Sequence, residues 1–190
     1  MLIDLTLKIT PKMILDAHEN DKKALPGHLG THFDVMNKEF PLEYLERDAI
    51  VFDVSTVDKN KEISTEDIIL NLNKIETNMF VAFYTGFMEN EKYGGRKYFT
   101  EHPQLSDELI EELIKKEISI IGIDFAGIKR GNDHTPKDQY CSDRGIFIVE
   151  NLCNLYKILN GNKSKIFLAY TFPLNYTNMT GLPCRVVAKI

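Results

Sequence analysis

Short, continuously apolar runs are the feature that most limits how this 190-residue chain can fold. Met79–Tyr84 (MFVAFY) and Ile118–Ile123 (ISIIGI) are rich in β-branched and aromatic residues and contain almost nothing polar. Such runs read as strands buried on both faces. Ile3–Leu7, Ala49–Val54, Gly145–Val149, Lys165–Tyr170 and Arg185–Ile190 read as further strands. Helices are fewer. Thr10-Pro11 resembles a cap and first position for Lys12–Ala17, and Ser64 with Asp67 a capping box for Glu66–Leu72. Ser106 caps Asp107–Lys116, whose acidic start and basic end match the helix dipole and whose Leu109, Ile110, Leu113 and Ile114 share a face. A last helix is predicted over Asn151–Leu159. The chain therefore reads as a single α/β domain over 1–190, a strand-rich mixed sheet with few helices. Segments around 20–48, 86–104, 125–137 and 172–183 are left as long loops, which tend to carry function.

Composition excludes some partners. A formal charge of -5, with Lys and Arg scattered in runs no longer than Lys22-Lys23 or Lys115-Lys116, disfavours nucleic acid. No stretch approaches the ~18 apolar residues of a membrane helix, and the opening MLIDLTLKIT does not read as a secretory signal. Cys141, Cys153 and Cys184 are odd in number and form no C-x-x-C pair, so a reducing cytoplasm is expected.

His28-Leu29-Gly30-Thr31-His32-Phe33-Asp34 carries the chemistry. Pro26, Gly27, Gly30 and Thr31 oppose a helix, so the two imidazoles must converge through a loop that turns at Gly30. His32 and Asp34, two apart, project from one side of a strand. Two imidazoles and a carboxylate suit Zn²⁺, Mn²⁺ or Fe²⁺ with positions left for water and substrate.

The motif resembles the signature of the metal-dependent cyclase-like hydrolases, the family that includes bacterial kynurenine formamidase and isatin hydrolase. Further segments are similar in order: Ile3-Asp4-Leu5, Tyr84-Thr85-Gly86, His102-Pro103 with Leu105-Ser106, Gly122-Ile123-Asp124, Glu150-Asn151-Leu152 with Asn154-Leu155, and Gly181-Leu182-Pro183-Cys184-Arg185. The resemblance implies a swivelling β/β/α fold, a homodimer or larger homo-oligomer, and Zn or Mn as cofactor. It also implies metal-assisted cleavage of a C–N bond in a small amide, formamide or cyclic amide. Glu150 is then a ligand or acid/base group. Two positions depart from the family pattern. Lys38 stands where a histidine follows the metal Asp by four residues, and Asp138 where one precedes the Glu by twelve. Two accounts follow: a decayed member that binds metal and a small ligand without turnover, or retuned chemistry. In the second, Lys38 acts as base or charge partner, Asp138 becomes a metal ligand, and the two meet within ~4 Å at the site. His134, on a loop near Asp138, is expected to be an exposed loop histidine, with supply of the missing imidazole as the alternative; His102 reads as a packing or turn residue, and Asp4 and Asp124 as structural acceptors at strand ends.

Overall fold

A computed structural model describes residues 1–18, 27–58 and 61–190. Among these residues, eight strands make one sheet: β1 (Leu2–Asp4), β2 (His32–Asp34), β3 (Glu46–Asp53), β4 (Phe80–Tyr84), β5 (Ile120–Ile123), β6 (Phe147–Glu150), β7 (Ser164–Pro173) and β8 (Gly181–Lys189). Their order is β1-β8-β2-β6-β5-β4-β3-β7, and a β7–β8 pairing closes the sheet into a barrel-like form. Closure leaves few unpaired edges, which an open sheet of this width would expose.

The β3-β4-β5-β6 block is parallel, because each connection passes through helical segments that return the chain to the same end. α2 (Thr65–Ile68) joins β3 to β4. α3 (Phe87–Glu91), α4 (Arg96–Thr100) and α5 (Asp107–Lys115) join β4 to β5, and α6 (His134–Ser142) joins β5 to β6. β2 enters antiparallel between β6 and β8, and β7 antiparallel beside β3. α1 (Pro11–His18) and α7 (Leu155–Leu159) complete the α-helices of the described residues. None of these is long and apolar enough to cross a membrane.

The apolar runs are explained by two cores that share the strands. Ile50, Phe52, Val81, Phe83, Ile121 and Ile148 pack with Leu109, Ile110 and Leu113 of α5 and Tyr98 of α4. The alternate residues Ala49, Val51, Phe80, Ala82, Ile120 and Val149 pack with Phe33, Phe167, Ala188 and α7. A strand covered on both faces needs apolar residues at odd and even positions alike.

The mixed α/β architecture agrees with the sequence reading, with local differences. The 86–104 and 125–137 segments are not plain loops, since they hold α3, α4 and the start of α6. Of the 20–48 segment, residues 20–26, including Lys22, Lys23 and Pro26, lie outside the described residues. The helix expected over Glu66–Leu72 becomes a single α-turn followed by a 3₁₀ segment, Ile69–Lys74, although its capping box forms: Ser64 N donates to Asp67 Oδ2 at 2.7 Å. α7 begins four residues later than expected, because Asn151 and Asn154 are left-handed (φ 59 and 60). Asn tolerates that conformation, and it breaks a helix. α5 forms as read, with Ser106 Oγ accepting from Leu109 N at 3.1 Å.

Candidate metal centre

β2 is three residues long, and its register places the site. Phe33 points into the second core, so His32 and Asp34 face the other way. His32 lies directly across from Glu150 of β6, and residues opposite each other in a ladder share a face. Glu150 therefore joins the two β2 donors although it is far away in sequence.

His28 arrives from the loop ahead of β2. Gly27 (φ +87) packs so tightly that a Cβ would sit 2.1 Å from the Gly181 carbonyl oxygen, and Gly30 (φ +72) turns the chain back toward β2. His28 Nδ1 then lies 3.1 Å from His32 Nε2 and 3.1 Å from Asp34 Oδ1. His32 Nε2 is 3.6 Å from both Asp34 Oδ1 and Glu150 Oε2. The outer nitrogens are held elsewhere: His32 Nδ1 by the Gly30 carbonyl at 2.8 Å, His28 Nε2 by the Thr180 hydroxyl at 2.9 Å. A carbonyl only accepts, so His32 Nδ1 carries a proton and Nε2 is the nitrogen that faces the cluster.

A second set of donors meets the first through Asp34. His134 opens α6, and its Nε2 lies 3.2 Å from Asp138 Oδ2, one turn on, and 3.2 Å from Glu150 Oε1. Donor atoms of His28, His32 and Asp34 lie within 4.8 Å of one another, as do those of Asp34, His134 and Asp138. The expectation for His134 is thus corrected: it is one-third exposed and turned into the cluster, placed there by a helix the sequence did not announce.

Lys38 is the other correction. The chain reverses at Met36 and Asn37, both left-handed, and carries Lys38 outward. Its ammonium pairs with Asp143 at the end of α6 (2.7 Å), with both side chains nearly half exposed, and forms no ion pair with Asp138. Lys38 and Asp138 do not meet. His102 packs as expected, stacked on Phe125 with Nδ1 2.7 Å from the Pro103 oxygen, and burial pushes its pKa down to about 4. Asp124 accepts from Thr85 N, Thr85 Oγ1 and Gly86 N, and Asp4 accepts from Arg185, so both serve as strand-end acceptors.

The donor set fits a divalent cation. Asp34 Oδ2 and Asp138 Oδ1 are buried carboxylate oxygens that accept no hydrogen bond, an arrangement proteins avoid unless something else satisfies the oxygen. Three buried carboxylates crowd one small volume. Burial and the Asp34 charge push Glu150 and Asp138 well above the usual carboxylate range. Burial opposes a charged His32, but Asp34 and Glu150 outweigh it and raise the imidazole to about 9. Asp34 is held low, its burial outweighed by the two histidines beside it. Excess negative charge around imidazole nitrogens is the pattern that Zn²⁺ or Mn²⁺ completes.

A supporting layer, which sequence reasoning missed, holds these donors. Asn151 Nδ2 donates to the Gly30 carbonyl (2.9 Å), and Tyr98 OH donates to Asn151 Oδ1 (2.7 Å). Gly30 N donates to Tyr93 OH at 2.9 Å. The Glu-Asn-Leu segment marked Asn151 as notable, but nothing distinguished Tyr93, Tyr98 or Thr180 from ordinary loop and core residues. The cluster floors a cavity of about 450 Å³ whose apolar side is formed by Met36, Phe99 and Ala126. That volume suits a small molecule.

Comparison with curated protein sequences gives no significant match. Solved structures do match. One described as a potential metal-dependent hydrolase with cyclase activity is 21% identical, with a TM-score of 0.74, covering 99% of this chain and 96% of its own. Isatin hydrolase A from Labrenzia aggregata, bound to benzyl benzoate, is 20% identical with a TM-score of 0.73, covering 99% and 93%. Isatin hydrolase A from Ralstonia solanacearum is 17% identical with a TM-score of 0.72, covering 99% and 91%. At these identities the likeness establishes the fold. A family profile, Cyclase ("Putative cyclase"), matches residues 3–130, which include His28, His32 and Asp34. With two-thirds of its length matched by that profile, the chain belongs to the Cyclase family.

Proposed function

We propose that the protein is a metal-dependent hydrolase that cleaves the C–N bond of a small amide, formamide or cyclic amide. The observation that carries this reading is the pair of donor triads sharing Asp34 on the floor of a cavity sized for a small molecule. The hydrolase names of the structural neighbours support it. His28, His32 and Asp34 would hold one divalent ion. Asp34, His134 and Asp138, with Glu150 beside them, offer donors for a second. The imidazoles suit Zn²⁺, and the oxygen-rich half tilts the preference toward Mn²⁺. Bound there, such an ion supplies Lewis acidity, which polarises a carbonyl and acidifies a water.

The chain's own groups do the rest. The Gly30 carbonyl and Thr180 hydroxyl fix the two rings, so their inner nitrogens are aimed before metal or substrate arrives. With the first ion alone bound, His134 Nε2, between Asp138 and Glu150, is placed to take a proton and deliver it to the leaving nitrogen. Met36, Phe99 and Ala126 exclude water from the apolar side. Lys38 has no part in this chemistry, because its charge is spent on Asp143 outside the cavity.

A homodimer or larger homo-oligomer accords with the exposed Phe172, Leu174 and Tyr176, and a cytoplasmic location with three free cysteines. A binder without turnover is the rival reading, favoured by Lys38 standing outside the site. Protein purified without chelator, offered formanilide, isatin and a lactam panel, separates the two. Hydrolysis that is lost on chelation and restored by Zn²⁺ or Mn²⁺ is expected. Ligand binding by fully metallated protein with no hydrolysis across the panel would establish the rival.

A further inference from the structure

Among the described residues, the backbone takes left-handed φ values mostly at Gly and Asn, where they cost least. The exceptions are Met36, Lys92 and Glu117. Lys92 and Glu117 are exposed, whereas Met36 (φ 49) is buried and lines the cavity. A long apolar side chain held in that conformation is uncommon, and such residues persist where the surroundings over-determine them. The surroundings here do so. Val35 N and Met36 N both donate to the Thr180 carbonyl (2.8 and 3.0 Å), Asn37 N donates to the Met179 carbonyl (3.0 Å), and Lys38 N closes the turn on Val35 O (2.8 Å).

The same Thr180 orients His28 through its hydroxyl. Met36 is therefore locked at a fixed distance from the donor cluster by the residue that fixes one of the donors. Glycine would satisfy the turn without strain, so the thioether side chain has a task that the backbone does not explain. It faces the cavity beside Phe99 and Ala126, and no Lys or Arg is among the described residues lining that space. Uncharged, flat, polarisable ligands pack well against a Met and a Phe.

We propose that Met36 is the specificity-determining residue of this cavity: its side chain sets the upper size of the uncharged planar ring that seats against His28, His32 and Glu150. The proposal rests on the metal-site reading above for where the ring seats, and it is tested by binding, which needs no turnover. Isatin and 1-benzylisatin are titrated by calorimetry into Mn²⁺-loaded wild type and Met36→Gly. Wild type should prefer isatin by at least about ten-fold, and Met36→Gly should reduce that preference to about two-fold or less. The Gly variant loses the buried side chain and should melt lower than wild type, with relief of strain limiting the fall. Met36→Val, β-branched in a left-handed turn, should melt lower than either. An unchanged preference in Met36→Gly overturns the assignment, as does a wild type that binds neither probe or both equally. Wild type that discriminates as expected yet hydrolyses nothing across the formanilide, isatin and lactam panel upholds Met36 and sinks the hydrolase reading instead.

Discussion

His32 has both ring nitrogens committed, one to the Gly30 carbonyl and one to the carboxylates of Asp34 and Glu150. Replacing it should therefore remove a ligand outright. Protein purified without chelator should carry near-stoichiometric Zn²⁺ or Mn²⁺, and His32→Ala should carry almost none by elemental analysis. Full occupancy in that variant would remove the site assignment. Asn151→Ala tests the layer behind it. The Gly30 carbonyl loses its amide donor, the ring it orients loosens, and metal affinity should fall about 10–100-fold with the ligands untouched. Glu150→Gln keeps the volume but replaces the carboxyl group 3.2 Å from His134 and 3.6 Å from His32 with an amide that cannot exchange a proton. It should leave the urea midpoint nearly unchanged while hydrolysis falls by two orders of magnitude or more, roughly the share of an acid/base group. A glutamate that serves only the fold would instead shift the midpoint and leave hydrolysis intact.

Helix α6 shows why one half of the site was harder to read than the other. His28, His32 and Asp34 lie within seven residues, and their spacing alone announces a metal motif. The run from His134 to Ser142, HTPKDQYCS, has no apolar stripe, and Pro136 suggests a break. Proline is tolerated in a first turn, and the helix forms because Asp138, Cys141 and Ser142 are buried against neighbours rather than from local propensity. Once the helix exists, the four-residue spacing of His134 and Asp138 puts both on one face. The Lys38–Asp143 pair outside α6 is exposed and should matter little. Lys38→Met should retain metal content and hydrolysis, and its effect should be additive with that of Asp138→Asn. Coupling in that double-mutant cycle would restore Lys38 to the site. α5 is the contrasting element, announced by cap, charges and stripe together. Ser106→Ala should cost about 1 kcal/mol by urea denaturation, without changing metal content.

Across the whole molecule, the buried Asp124 ties stability to pH. Burial raises it to about 7, against the opposing effect of bonds from Thr85 and Gly86. The folded state then holds a proton that the unfolded chain releases near its ordinary value of 3.8. Stability from this group is present at acid pH and declines as pH rises toward 7. The stability difference between wild type and Asp124→Asn should therefore shrink between pH 4 and pH 8, and a flat difference would show that Asp124 ionises in the fold as it does in the unfolded chain. The same scale separates what the sequence determined by itself from what tertiary structure decided. Strand positions, the two-sided core and the first triad were legible because each depends on residue types at short spacing: period-two burial, apolar runs, and three donors around one glycine turn. Glu150 was legible through its motif, though only the β2–β6 register gives it His32 as a cross-strand neighbour. The fates of Lys38 and His134 were decided by tertiary structure. A left-handed turn held by the Met179 and Thr180 carbonyls throws one side chain outward, and the docking of α6 turns the other inward. Both outcomes depend on contacts between segments distant in sequence, which no local pattern of residues encodes.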